Sequence, residues 1–204
     1  DWSSDVCSSD LNTGDVLTLR SNKDMNIHTV TYSDEWYQNV VKKNGGWTLE
    51  MIDLNNPCEG ASNWKASEDI NGGTPGRLNS VDAVNPDETK PKLISAFAED
   101  SLRVVLTFSE PIDSMKAAFA SGYQILNTNI HILSANAVTP NFNKVILTLS
   151  EPLERNREYE ISVNQLTDCI GNSIDNSINI KFGLSEIPGL NDIIINEKIG
   201  RAHV

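Results

Sequence analysis

Between residues 92 and 184, seven short runs carry apolar residues at every second position, and turn residues separate them. The clearest run alternates Leu102, Val104, Leu106 and Phe108 with Arg103, Val105 and Thr107. Successive side chains of a strand point to opposite faces, so a period of two writes one buried face and one wet face. The other runs lie at 93–97, 123–126, 130–133, 145–149, 159–163 and 178–182. Tyr159, Ile161 and Val163 share a face, as do Ile178, Ile180 and Phe182. One sheet cannot hide such faces by itself, but two sheets laid against each other can.

Seven short strands spaced by turns predict an all-β chain built on an immunoglobulin-like β-sandwich at 92–184. A near-repeat supports the strand ends. Leu106-Thr107-Phe108-Ser109-Glu110-Pro111 recurs as Leu147-Thr148-Leu149-Ser150-Glu151-Pro152. Each proline has no N–H to give and stops the ladder. Glu110 and Glu151 read as solvated strand-end residues. Residues 114–120 read as one or two helical turns, with Asp113 or Ser114 as N-cap and Gly122 past the end.

The earlier part of the chain is less regular. Strands are expected at 16–19, 27–32 and 47–52. In the second, His28, Val30 and Tyr32 face one way and Ile27, Thr29 and Thr31 the other. In the third, Trp47, Leu49 and Met51 alternate against Thr48, Glu50 and Ile52. Residues 53–80 hold Pro57, Gly60, Gly72, Gly73, Pro75 and Gly76, and read as an ordered loop anchored by Trp64. Residues 83–91 are polar, contain Pro86 and Pro91, and read as a linker.

Composition bounds the function. The formal net charge is −12. An acidic chain lacks the clustered positive charge of a nucleic-acid surface, so no nucleic acid is expected as a partner. It is equally unsuited to an anionic membrane face, and no apolar run is long enough to span a bilayer, so no membrane insertion is expected.

Particular residues carry two resemblances. The stretch 12–82 holds Gly14-Asp15-Val16, Tyr32-Ser33-Asp34-Glu35-Trp36-Tyr37, Gly46-Trp47-Thr48-Leu49-Glu50, Asn56-Pro57-Cys58, Asn63-Trp64 and Gly72-Gly73-Thr74-Pro75-Gly76. In that order they resemble the C-terminal half of a bacterial lamin-tail domain, itself an immunoglobulin-like sandwich, with its opening strands missing. The stretch 92–184 resembles a bacterial Ig-like domain of the S-layer type, through the 106–111 motif, Pro152-Leu153 before Tyr159, and Asp168-Cys169-Ile170-Gly171-Asn172. Asn191-Asp192-Ile193-Ile194-Ile195-Asn196-Glu197, within 190–197, looks like the first strand of a further lamin-tail domain. The resemblance implies modules of an exported bacterial surface protein, extracellular or on the cell surface, generally non-catalytic, with neighbouring domains of the same chain as partners.

The search for chemistry returns few candidates. There is no Gly-x-Ser-x-Gly elbow, His-Glu-x-x-His, Cys-x-x-Cys or phosphate loop, and no catalytic residue, cofactor or metal ligand is assigned. His28 and His131 read as strand residues with packing roles. Asp168, Asn172 and Asp175 offer oxygens to calcium, but Asp and Asn also favour turns through bonds to their own backbone. Trp36 and Tyr37 could form a binding patch for a cell-surface glycan or protein, against the reading that they edge a core. Cys58 and Cys169 could join the two modules. They could also stay free thiols, or pair with cysteines beyond this sequence.

The two ends carry an unusual relation. Ile199-Gly200-Arg201-Ala202-His203-Val204 can be written in codons whose reverse complement translates as Asp-Val-Cys-Ser-Ser-Asp, the sequence at 5–10. This resembles the adapter of a short-read DNA library, read through on both sides of an insert. Residues 1–11 and 198–204 are therefore expected to be adapter-derived, which discounts Cys7 and makes the gene a fragment. The expected function is a spacer or adhesion-type module pair without catalysis. The rivals are a carbohydrate- or protein-binding module, and an accessory region tethering a hydrolase such as a nuclease or phosphatase.

Overall fold

The structure, a computed structural model, describes residues 13–24 and 26–185. The ends at 1–11 and 198–204 and the expected strand at 190–197 lie outside the described residues. The chain opens with β1 (Gly14–Arg20) and β2 (Asn26–Ser33), an antiparallel ribbon, followed by β3 (Leu49–Met51) and β4 (Trp64–Ala66), a second ribbon. Then come β5 (Leu93–Ala98), β6 (Arg103–Phe108), α1 (Ser114–Ala117), β7 (Tyr123–Ile125), β8 (Ile132–Ala137), β9 (Lys144–Leu149), β10 (Glu158–Val163) and β11 (Ile180–Gly183).

The second region is the expected all-β, immunoglobulin-like sandwich. One antiparallel sheet has the order β5-β6-β9-β8 and the other β11-β10-β7. Its core comes from the period of two. Val104, Leu106 and Phe108 of β6, Val145, Leu147 and Leu149 of β9, and Tyr159, Ile161 and Val163 of β10 are all buried. Burying one such side chain favours folding by about 1.5–3 kcal/mol. Tyr159 packs its ring 5.8 Å from Phe182, and its hydroxyl accepts the Glu154 N–H at 2.8 Å. Helix α1 starts at an Asp113 cap, whose carboxylate accepts the N–H groups of Met115 and Lys116.

Two sequence expectations shift here. The strand expected at 130–133 is β8, displaced to Ile132–Ala137 with a bulge between Ile132 and Ser134. Its inward residue Ala135 is small and its polar neighbours Ser134 and Asn136 hide the alternation. The helix ends after Ala117, and a 3-10 turn at Ala120–Gly122 leads into β7.

The first region is organised differently. Its buried side chains are mostly polar: Glu50, Asp53, Asn56, Asn63, Ser67 and Thr74, with Met51 and Ala66 as apolar company. The loop expected to run through 53–80 contains β4, and Trp64 begins that strand. Glu50, on the strand face opposite Leu49 and Met51, is only 4% exposed. Its carboxylate accepts the Thr74 hydroxyl at 2.6 Å and both the N–H and hydroxyl of Ser80. Burial alone would raise this carboxyl, but the hydroxyls of Ser80, Thr74 and Ser67 and the Ser80 N–H hold it down to about 2.

A close backbone approach shapes this region. The Thr48 N–H donates to the Gly72 carbonyl at 2.8 Å. Gly72 has φ +84°, and a Cβ there would overlap the Gly46 carbonyl oxygen, so only glycine fits.

Candidate functional site

The two regions meet where β6 ends, and the residues of that junction come from four separate stretches. The first is the stretch expected as a linker, 83–91. It has no regular element, yet it is tethered. Ala83 N–H donates to the Ile52 carbonyl, Asn85 N–H to the Asp53 carboxylate, and Asn56 Nδ2 to the Asn85 carbonyl. Asn63, fully buried, gives Nδ2 to the Asp53 and Asn56 carbonyls and accepts Asp53 N–H and Asn85 Nδ2 on Oδ1. The N–H groups of Asn85 and Asn55 hold the Asp53 carboxyl below its ordinary value.

The second stretch is the turn after β10. Asp168 is buried, and Oδ1 accepts the N–H groups of Ile170, Gly171 and Asn172 at 3.0, 2.7 and 2.8 Å. Its Oδ2 accepts Asn172 Nδ2 at 2.8 Å, and that amide also reaches the Asp87 carbonyl at 3.0 Å. This is the turn chemistry that Asp and Asn favour, and here it also ties the turn to the connecting stretch. Asp175 lies apart, bonded to Ser177.

The third contribution is Cys58, which is bonded to Cys169 of that turn with the Cα atoms 6.4 Å apart, although the two lie 111 positions apart in sequence. The fourth is Glu110, just beyond the end of β6. Sequence placed it as a solvated strand-end residue. In the structure it is half-buried, and its Oε1 is out of solvent with no hydrogen-bond partner. Burial pushes its carboxyl up to about 7, with Asp87, Asp168 and Glu59 adding repulsion. Its repeat counterpart Glu151 is exposed.

Asp87, Glu110 and Asp168 each bring a carboxylate oxygen within 4.8 Å of the others, the one such grouping among the described residues. Hard cations take oxygen ligands. Asp168 accepts N–H donors on both oxygens, and Asp87 Oδ1 accepts the Thr89 N–H at 2.8 Å. The arrangement is a capped turn beside the half-buried carboxyl of Glu110.

Beside this cluster a groove of about 630 Å³ separates β2 from the second region, lined in part by His28, Trp36, Glu59, Met115 and Phe142. His28 Nε2 lies 3.3 Å from the Pro57 carbonyl, and Thr31 donates its hydroxyl to Asn141 Oδ1 across the junction at 3.1 Å. Trp36 and Tyr37, the expected binding patch, are both half-buried. Trp36 leans on Trp64, ring centres 6.2 Å apart, and Tyr37 donates its hydroxyl to the Trp47 carbonyl.

Sequence reading did not find Asp87 or Asn85, because their partners are distant in the chain, and it quoted Asn63 only as part of a resemblance. The one local signal was the Asp-Cys-Ile-Gly-Asn turn, which it did single out.

Residues 80–183 match the family described as bacterial Ig-like domain. No curated protein matches the chain. Among solved structures the chain is similar to the S-layer protein rSbsC(31-844), with a TM-score of 0.44 and 22% identity over 50% of this chain and 14% of that one. It is also similar to domains 1–6 of surface layer protein SbsC, with a TM-score of 0.45 and 21% identity over 50% of this chain and 15% of that one. The N-terminal part of the bacterial S-layer protein SbsC gives 0.43 and 23%, over 47% and 24%. The chain therefore spans less than a quarter of the length of each of these proteins.

Proposed function

The chain belongs to the bacterial Ig-like domain family, and on that premise we propose that it is a non-catalytic structural element of an exported bacterial surface protein, working as a spacer whose two modules are locked together. The observation that carries this reading is the cross-braced junction. One covalent bridge and the Asn172–Asp87 and Thr31–Asn141 bonds tie elements from both regions. A spacer transmits position and load only if its joints do not swivel. Domain pairs joined by a bare polar linker move by default, so bracing of this kind is the feature a rod needs. A disulfide also fits export, because such bonds persist in oxidising compartments. On this reading residues 12–82 belong to a lamin-tail module, its buried polar network replacing an apolar core.

Small-angle scattering of the 204-residue chain, oxidised and then reduced, tests the proposal. The oxidised protein should give one compact distance distribution. Reduction, or the Cys58→Ser/Cys169→Ser variant, should broaden it while the sandwich melt of 92–184 remains cooperative. Identical distributions in both states would mean that the bridge does not set the joint, and the rigid-spacer reading would fall.

A further inference from the structure

The bridge between Cys58 and Cys169 closes a covalent loop of 111 sequence steps. β4 to β10 and α1 lie inside that loop, while β1, β2, β3 and β11 lie outside it. Among the described residues, the buried apolar cluster of the sandwich is inside as well, apart from Ile174 and Phe182. A bridge of short span would brace the joint and leave the sandwich outside. This span takes in nearly all of it.

The consequence is mechanical. A pull on the two ends of the chain runs down the backbone to Cys58, crosses the sulfur–sulfur bond and leaves through Ile170. Residues 59–168 carry none of it. Strands held by hydrogen bonds and packing yield under load at a rate set by the unfolding barrier. A covalent bond does not yield on that scale. β11 is the strand of the sandwich that stands in the path. Four ladder pairs hold it to β10, Phe182 packs on Tyr159, and Arg155 bonds the Ser185 carbonyl just beyond it.

Opening the bridge is a thiol–disulfide exchange. A thiolate attacks one sulfur, forms a mixed disulfide and releases the other cysteine. A second thiol then displaces the first cysteine. Two thiols become one disulfide, and their two electrons and two protons end on Cys58 and Cys169 as free thiols. Cys169 is exposed, Cys58 is half-buried, and both line the groove beside β2, so a small thiol meets the bond at the surface.

We propose that this bridge is a redox-gated stop on extension. Oxidised, the chain under load lengthens only through its flanks. Reduced by a small thiol, it admits the sandwich to the load path and lets it unravel. At 3.3–3.6 Å per residue, the 111 steps add roughly 370–400 Å. The inference rests on the spacer reading, since a stop serves a load-bearing element, but it concerns the path of tension and not the stiffness of the joint.

Single-molecule stretching of the full chain tests it, with handles ligated to both ends and Cys7→Ser so that one disulfide is possible. Cys58→Ser/Cys169→Ser in the same background sets the clamp force, as the force at which it unravels. If that variant does not fold, its stretched length is still the reference, because an unfolded chain extends fully. At that force the oxidised chain should stay shorter than the variant by roughly 370–400 Å, and adding a dithiol should release that length. An oxidised chain as long as the variant overturns the proposal. So does a chain that keeps its shorter length once mass spectrometry shows both thiols free. The scattering test fails on joint stiffness and this one on length, so the two failures are distinguishable.

Discussion

Replacing Glu110 by glutamine should make the protein more stable, and only above the acid range. The Glu110 carboxyl rises from 4.5 to about 7, through burial first and then the charges of Asp87, Asp168 and Glu59. An unfolded chain would lose this proton near 4.5 while the folded chain keeps it to about 7. Between those values the folded state binds more protons, so stability falls as pH rises through the window and is level above it. At full strength the rise corresponds to about 3.4 kcal/mol, at 1.36 kcal/mol per pH unit. Glu110 is only half-buried, so solvent screening leaves about 1–1.5 kcal/mol. Glutamine keeps the shape and never ionises. The variant should melt higher than wild type by roughly 4–8 °C at about pH 8, the shift that about 1 kcal/mol gives a domain of this size. At about pH 5, where Glu110 is protonated, the two should coincide. Thermal melts followed by circular dichroism, with a chelator present so that no buffer cation neutralises the cluster, provide the measurement. An equal difference at both pH values, or a less stable variant at about pH 8, would refute the reasoning.

Three further outcomes are expected. Leu106→Ala opens a cavity between the two sheets, since Leu106 is fully buried, and should cost about 2–5 kcal/mol in urea unfolding; a loss under about 1 kcal/mol would mean the core closes up. Gly72→Ala should destabilise the first region by more than the ordinary glycine-to-alanine effect, because the methyl meets the Gly46 carbonyl at positive φ, seen as faster amide exchange at Thr48. Glu50 has a lowered carboxyl, so its stabilisation is present above about 4.5 and fades as pH falls toward about 2. Glu50→Gln should remove that acid dependence and cost about 1–3 kcal/mol at neutral pH, because an NH₂ group then faces the Ser80 donors; an unchanged acid profile would show that other carboxylates control it.

The sandwich was legible in the sequence because its information is local. A strand with one face buried must alternate, and the alternation of 104–108, 145–149 and 159–163 can hold in one secondary structure and one orientation. The same logic located α1 from Asp113 and the strand ends from Pro111 and Pro152. It failed at β8, where Ala135 is too small to announce itself, and it was silent on the burial of Glu50, whose partners Thr74 and Ser80 lie 24 and 30 positions away. Sequence marked Cys58 and Cys169 as candidates for a cross-link and left their pairing open. The proximity of two residues 111 positions apart is a property of the folded path, not of either neighbourhood. Glu110 and Glu151 make the same point. Both follow a strand and precede a proline, yet one is exposed and the other is half-buried with the charges of Asp87, Asp168 and Glu59 against it. Local pattern determined which residues form strands and which faces they bury; only the packing of distant segments decided which polar groups lost their water, because desolvation depends on everything that arrives in space.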